Sequence, residues 1–112
     1  MQSSQLLKGT FQTIILSVLA KQGRMYGYEI TQKVKQLTDD KIALTEGALY
    51  PTLHKLEAQG YLVTVKKEFN GRTRKYYSLT ESGLSEATEK VNEFAEFVLT
   101  MKFIFNSNLA TE

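Results

Sequence analysis

The sequence predicts a mainly α-helical fold closed by one small β-hairpin, and three stretches predict it. Phe11, Ile14, Ile15, Val18 and Leu19 recur at i, i+3, i+4, i+7 and i+8, the spacing of an amphipathic helix that should end near Lys21 to Gly23. Tyr61 to Leu79 reads as two β-branched and aromatic runs on either side of Asn70-Gly71, the strongest short signal for a two-residue hairpin turn. Leu84, Ala87, Val91, Phe94, Val98, Met101 and Phe105 step alternately by three and four residues, which is the apolar seam of a long last helix. A hairpin set directly behind two short helices is the wing of a winged helix-turn-helix.

The organising stretch is Thr45 to Glu57. Leu49, Leu53 and Leu56 fall on one stripe that must be buried. The opposite face carries Gly47, Pro51, His54, Lys55 and Ala58, with Tyr50 on the flank. It is small near its start and polar or basic further on, unlike the acid-base mixture of an ordinary solvated face. Thr45 is the expected N-cap, and Glu46 adds a negative charge to the first turn. Pro51 removes one backbone bond and presses on the carbonyl of Gly47, so a kinked or wound-up first turn is expected there. Such a helix suits the major groove of DNA, where backbone and side chains must approach base edges closely. Taken alone, it could equally be a surface helix of any small α domain.

Before it, a second helix is expected from near Tyr26-Gly27 to about Thr38, burying Tyr26, Ile30, Val34 and Leu37. Asp39-Asp40-Lys41 breaks the pattern, and Ile42, Ala43 and Leu44 form an apolar connector. After it, Gly60 is the expected C-cap residue. The hairpin then brings Lys66, Lys67, Arg72, Arg74 and Lys75 together among Phe69, Tyr76 and Tyr77. Such cations suit phosphate oxygens, and Arg can also enter a narrow minor groove. Edge strands carry Lys to prevent aggregation too, but that does not explain the placing of the hairpin behind a recognition-type helix.

Thr80 should cap the last helix, which would run to Phe105 over roughly 39 Å at 1.5 Å per residue. Phe97 and Ile104 widen its seam, and Leu99 and Phe103 make its C-terminal half apolar nearly all round. So small a domain cannot cover that length alone, so a partner helix and the first helix are both expected to bury it. Residues 1–79 are thus read as the winged unit and residues 80–112 as a dimerisation helix with a short tail, the two forming one compact body.

Composition narrows the chemistry. The 112 residues include no Cys, hence no disulfide, thiolate nucleophile or thiolate metal site, and the single His removes the other usual metal cluster. No metal or cofactor is expected. No apolar run approaches the roughly 20 residues that span a bilayer, and no signal-type start is present, so a cytoplasmic location is expected. The net charge is only +2, but residues 61–79 carry +4 and residues 80–112 carry −4. A basic block beside an acidic tail points to one anionic partner surface. His54 and Glu57 could be read as an acid-base pair, but neighbours at that spacing are common on helices and no nucleophile or phosphate loop accompanies them. An enzyme is therefore not expected; a winged module that binds protein is the remaining rival.

Tyr26-Gly27-Tyr28-Glu29-Ile30, Gly47-Ala48-Leu49-Tyr50-Pro51-Thr52-Leu53 with Lys55-Leu56-Glu57 and Gly60, and Arg74-Lys75-Tyr76-Tyr77 with Leu79-Thr80 and Gly83 together resemble the PadR family of bacterial transcription regulators. With one C-terminal helix, the chain is similar to its short subfamily. The resemblance implies a homodimeric repressor on a palindromic operator, released by a small effector. It implies DNA contacts from Tyr28, Gly47, Ala48, Tyr50, Pro51, His54 and Lys55, and from Lys66, Arg72, Arg74 and Lys75 of the wing. Some short members hold flat aromatic molecules between subunits, which implies an apolar or aromatic ligand near Phe94 and Phe97 of the last helix and Phe11 and Ile15 of the first.

Overall fold

A computed structural model describes residue 7 and residues 9–110. The short tail expected at the end of the chain lies partly outside the described residues. From Phe11 onward, four helices and three strands follow among the described residues in the order α1 (Phe11–Gln22), β1 (Met25–Tyr26), α2 (Gly27–Leu37), α3 (Glu46–Ala58), β2 (Leu62–Phe69), β3 (Arg72–Leu79) and α4 (Glu81–Ala110). The sheet is antiparallel in the order β1-β3-β2, giving a winged helix-turn-helix with a long C-terminal helix.

Each helix forms where its periodicity asked for one. α1 buries Ile15, Leu16, Val18 and Leu19, and the left-handed Gly23 that follows it donates its N–H to the Leu19 carbonyl. α3 buries Leu49, Leu53 and Leu56 against that stripe, as their spacing requires. Thr45 caps α3, its hydroxyl accepting from the N–H of Ala48 at 3.3 Å. The helix runs unbroken through Pro51, and Gly60 follows it in a left-handed conformation at φ 84°. The hairpin turns at Asn70 and Gly71, both with positive φ, which matches the right-handed twist of the flanking strands. Its strands pair from Leu62–Leu79 out to Phe69–Arg72, so the return strand begins directly after the turn.

α2 starts at Gly27 as expected, but two of its expected buried positions differ, Tyr26 being half-buried and Leu37 exposed. Tyr26 is not in the helix: with Met25 it forms β1, pairing with Tyr76 and Tyr77 of β3. Its own N–H donates to Glu29 Oε1 at 3.1 Å, which fixes the start of α2 at Gly27. Leu37 is 61% exposed, because α2 outruns the helices it packs against and the chain turns away through Asp39 and Asp40, both at positive φ. Leu44 of the connector dips back into the core.

α4 starts against the core and then leaves it. Ala87 is buried beside α1, and beyond Lys90 the helix projects, which stretches the chain to 63 × 29 × 20 Å.

Candidate nucleic-acid interface

The outward side of α3 is open as its sequence pattern predicted. Gly47, Pro51, His54, Lys55 and Ala58 are all exposed, and Ala48 is half-buried. A Cβ on Gly47 would meet nothing closer than 3.9 Å, the hydroxyl of its own N-cap. No packing within the chain therefore calls for glycine there. Tyr28, 62% exposed, stands on the first turn of α2. Tyr50 is different from its neighbours: it is half-buried, packs on the core, and presses its hydroxyl end against Gly27 so closely that a side chain there would collide with it. The fit between α2 and α3 thus occupies much of the Tyr50 ring, leaving His54, 6.5 Å away between ring centroids, as the aromatic group on the open face.

The wing sorts its cations onto two faces, because side chains alternate along a strand. Lys67, Arg72 and Arg74 share one face with Phe69 and Tyr76; Lys66 and Lys75 share the other with the buried Tyr77. The outer face is stacked. Arg74 lies 4.4 Å from the centroids of both Tyr26 and Phe69, Tyr26 meets Tyr76 edge-on at 5.4 Å, and Arg24 covers Tyr76 at 5.7 Å. Contacts of a guanidinium with ring faces orient it without neutralising it. On the inner face, Lys75 Nζ lies 3.7 Å from Glu57 Oε1, and Thr64 donates to Glu57 Oε2 at 3.4 Å. Burial, then Glu57, then Tyr50 push the Tyr77 phenol above its ordinary pKa, so it stays neutral. Between the first turn of α2, α3 and the wing lies a cleft of about 390 Å³, lined by Tyr26, Tyr50, His54, Arg74 and Lys75.

The far end of α3 is tied to α4. Thr80 donates its hydroxyl to the Gly60 carbonyl at 2.7 Å and accepts from the Gly83 N–H at 3.0 Å; Ser82 also donates to Gly60, at 3.2 Å. The Thr80 N–H donates to the Tyr61 carbonyl at 3.0 Å, and Gly83 sits directly on that same carbonyl. Along α4, the seam residues Leu84, Val91, Phe94, Val98 and Phe105 are exposed, Met101 is half-buried and Ala87 alone is buried. Leu99 and Phe103 are the most exposed of its apolar side chains, at 67% and 74%.

The four residues read as a ligand site separate. Phe94 and Phe97 are exposed neighbours with ring centroids 6.2 Å apart. Ile15 is fully buried in the core and cannot line a ligand gap, because the α1 stripe that carries it faces α3. Phe11 lines a separate groove of about 410 Å³ with Pro51, Thr52, Lys55 and Lys90. Among the described residues, no group of three or more His, Cys, Asp or Glu side chains comes together as a metal would need, and no helix is long and apolar enough to cross a membrane.

The pattern reading missed β1 with Arg24, the Glu57 contacts and the close seat of Gly83. Only the last had a local signal, a glycine inside the first turn of a helix whose own propensity would favour alanine.

Comparison with known proteins bears on the whole arrangement. Residues 15–89 match the model of the transcriptional regulator PadR-like family. A solved transcriptional regulator from Clostridium thermocellum, Cth-833, is 34% identical, with 95% of this chain and 97% of that one superposed at a TM-score of 0.79. The PadR-like transcriptional regulator BC4206 from Bacillus cereus is 28% identical, over 91% and 97% of the two chains, with a TM-score of 0.75. The transcriptional regulator Rv3488 of Mycobacterium tuberculosis is 37% identical over 70 residues, 62% of this chain and 63% of that protein.

Proposed function

Since the chain belongs to the PadR-like family of transcriptional regulators, we propose that it is a homodimeric repressor that binds a palindromic operator through α3 and the wing. A small apolar or aromatic effector would release it. The observation that carries the reading is the open face of α3, small at Gly47 and basic at Lys55, both exposed among the described residues. Two such faces must meet successive major grooves about 34 Å apart, and the exposed seam of α4 is the element long enough to hold them there. Footprinting on the DNA upstream of the coding sequence tests this directly. Protection of two half-sites one helical turn apart is expected; no protection at any salt concentration would favour the rival reading as a protein-binding module.

Gly47 gives a sharper test. Alanine is favoured over glycine inside a helix by up to about 1 kcal/mol, and the added methyl has room. Gly47→Ala is therefore expected to raise the melting temperature while weakening operator binding, because the methyl stands where the helix must approach base edges. A variant that is more stable and binds as tightly as the parent would remove the start of α3 from the DNA contacts.

The wing supplies charge. Arg72 pairs with Phe69 at the tip and is exposed, without the ring contacts that hold Arg74. Arg72→Ala is expected to weaken specific and nonspecific DNA alike and to reduce the salt slope by about 0.9, the loss of one phosphate contact. An unaltered slope would leave edge protection as the reason for the charge.

For the effector, Phe94 and Phe97 are the ring faces a ligand between subunits would meet. Aromatic compounds that bind there are expected to raise the melting temperature of the parent and not of a Phe94→Ala variant. The absence of any shift across a broad panel would count against a seam effector.

A further inference from the structure

Glu57 lies on the wing side of α3, and the DNA contacts proposed above give it no part. Its carboxylate is nevertheless grasped by both long strands. Thr64 of β2 donates to one oxygen at 3.4 Å, and the Lys75 ammonium of β3 lies 3.7 Å from the other. Thr64 pairs with Tyr77 and Lys66 with Lys75, so the two contacts hold the wing within two register positions of each other. Among the described residues, no other side-chain hydrogen bond or ion pair joins α3 to the wing. The Lys75 ammonium also lies 5.5 Å from the centroid of the buried Tyr77 ring, which turns it toward α3.

We infer that Glu57 is a positioning residue: it fixes the angle between the DNA-reading helix and the wing and, by neutralising Lys75, takes that cation out of the set that meets phosphates. The first half stands on the contacts alone. The second rests on the DNA-binding reading. It also reassigns Lys75, which basic composition had grouped with Arg72 and Arg74. A pair of half-exposed charges is worth little to stability. Its effect is on where a positive charge points and on how rigidly the wing is held.

Two measurements on the full chain separate these halves. In the absence of DNA, nuclear magnetic resonance of the lysine side chains is expected to show the Lys75 signals, and those of no other lysine, shifting in Glu57→Gln. Unmoved Lys75 signals would overturn the contact, whether or not the protein binds DNA. With a nonspecific duplex, Lys75→Met is expected to leave the slope of log affinity against log salt unchanged, where a free phosphate-binding cation would lose about 0.9. A loss of that size would overturn the inference, and this arm stands even if Glu57→Gln fails to fold. Glu57→Gln itself should steepen the slope by about 0.9 and lower the ratio of operator to nonspecific affinity. Both the steepening and its disappearance in Glu57→Gln/Lys75→Met are required. If the parent protein shows no salt-dependent DNA binding at all, the repressor reading fails, and the side-chain signals alone decide the contact.

Discussion

Phe94→Asp is expected to yield monomers that no longer hold a full operator. Phe94 sits midway along the seam and is 38% exposed in the single chain, with Val91 and Val98 exposed beside it on the same stripe. Among the described residues nothing covers this stripe, and in the proposed dimer its apolar area is what a second copy would bury. A carboxylate in the middle of a helix-helix seam would be desolvated without a counter-ion, at a cost of upward of about 3 kcal/mol per chain. Val91→Asp should act in the same way. Light scattering and gel-shift titration on one sample check the coupling between assembly and binding. A variant still dimeric at micromolar concentration, or a monomer that holds the full operator as tightly as the parent, would place the interface elsewhere.

The second large effect is expected at Gly83. A Cβ at this position would fall on the Tyr61 carbonyl oxygen and within 3.2 Å of the Tyr61 Cα. Both obstacles are backbone, and that carbonyl already accepts the Thr80 N–H, so neither can swing aside. Gly83→Ala should therefore lose about 1 to 3 kcal/mol to overpacking, more than the gain of up to about 1 kcal/mol from helix propensity. At the scale of a small domain each net loss of about 1 kcal/mol lowers the melting temperature by roughly 4 to 8 °C. The same substitution at Gly47 carries the opposite sign, since only open space surrounds it. Calorimetry on the two variants checks both, and a Gly83→Ala protein as stable as the parent would show that α4 is not seated on the wing base in this way.

The parts of the fold legible in the sequence were those set by repetition over several turns or by a turn with its own chemistry. The leucine stripe of α3, the α1 pattern, the Asn70-Gly71 turn and the α4 seam belong to this group. β1 was not legible, because two residues contain no period and Met25-Tyr26 extends only in answer to β3, about fifty residues further on. Leu37 misled for a related reason: its spacing is right, but whether a last turn meets a partner depends on how far the neighbouring helices extend. Composition placed five cations in the wing without their partners. That Arg74 stacks between Tyr26 and Phe69 while Lys75 faces Glu57 depends on strand alternation and on contacts far apart in the chain. Likewise, nothing local to Tyr50 announces that part of its ring is held against Gly27.

The joint where Thr80, Ser82 and Gly83 lock onto Gly60 and Tyr61 makes α4 a lever with its fulcrum at the end of α3. Its arm is about 45 Å long, from thirty residues at 1.5 Å each. A tilt of about 5° at the fulcrum sweeps the tip through roughly 4 Å on that length. Worked in reverse, a flat ring wedged at Phe94 between two such helices in the proposed dimer would rotate each winged unit by only a few degrees. On a palindromic operator bound as proposed, whose groove spacing is fixed, such a rotation in each of two copies would shift the winged units out of phase with the double helix while leaving every local contact of each unit in place.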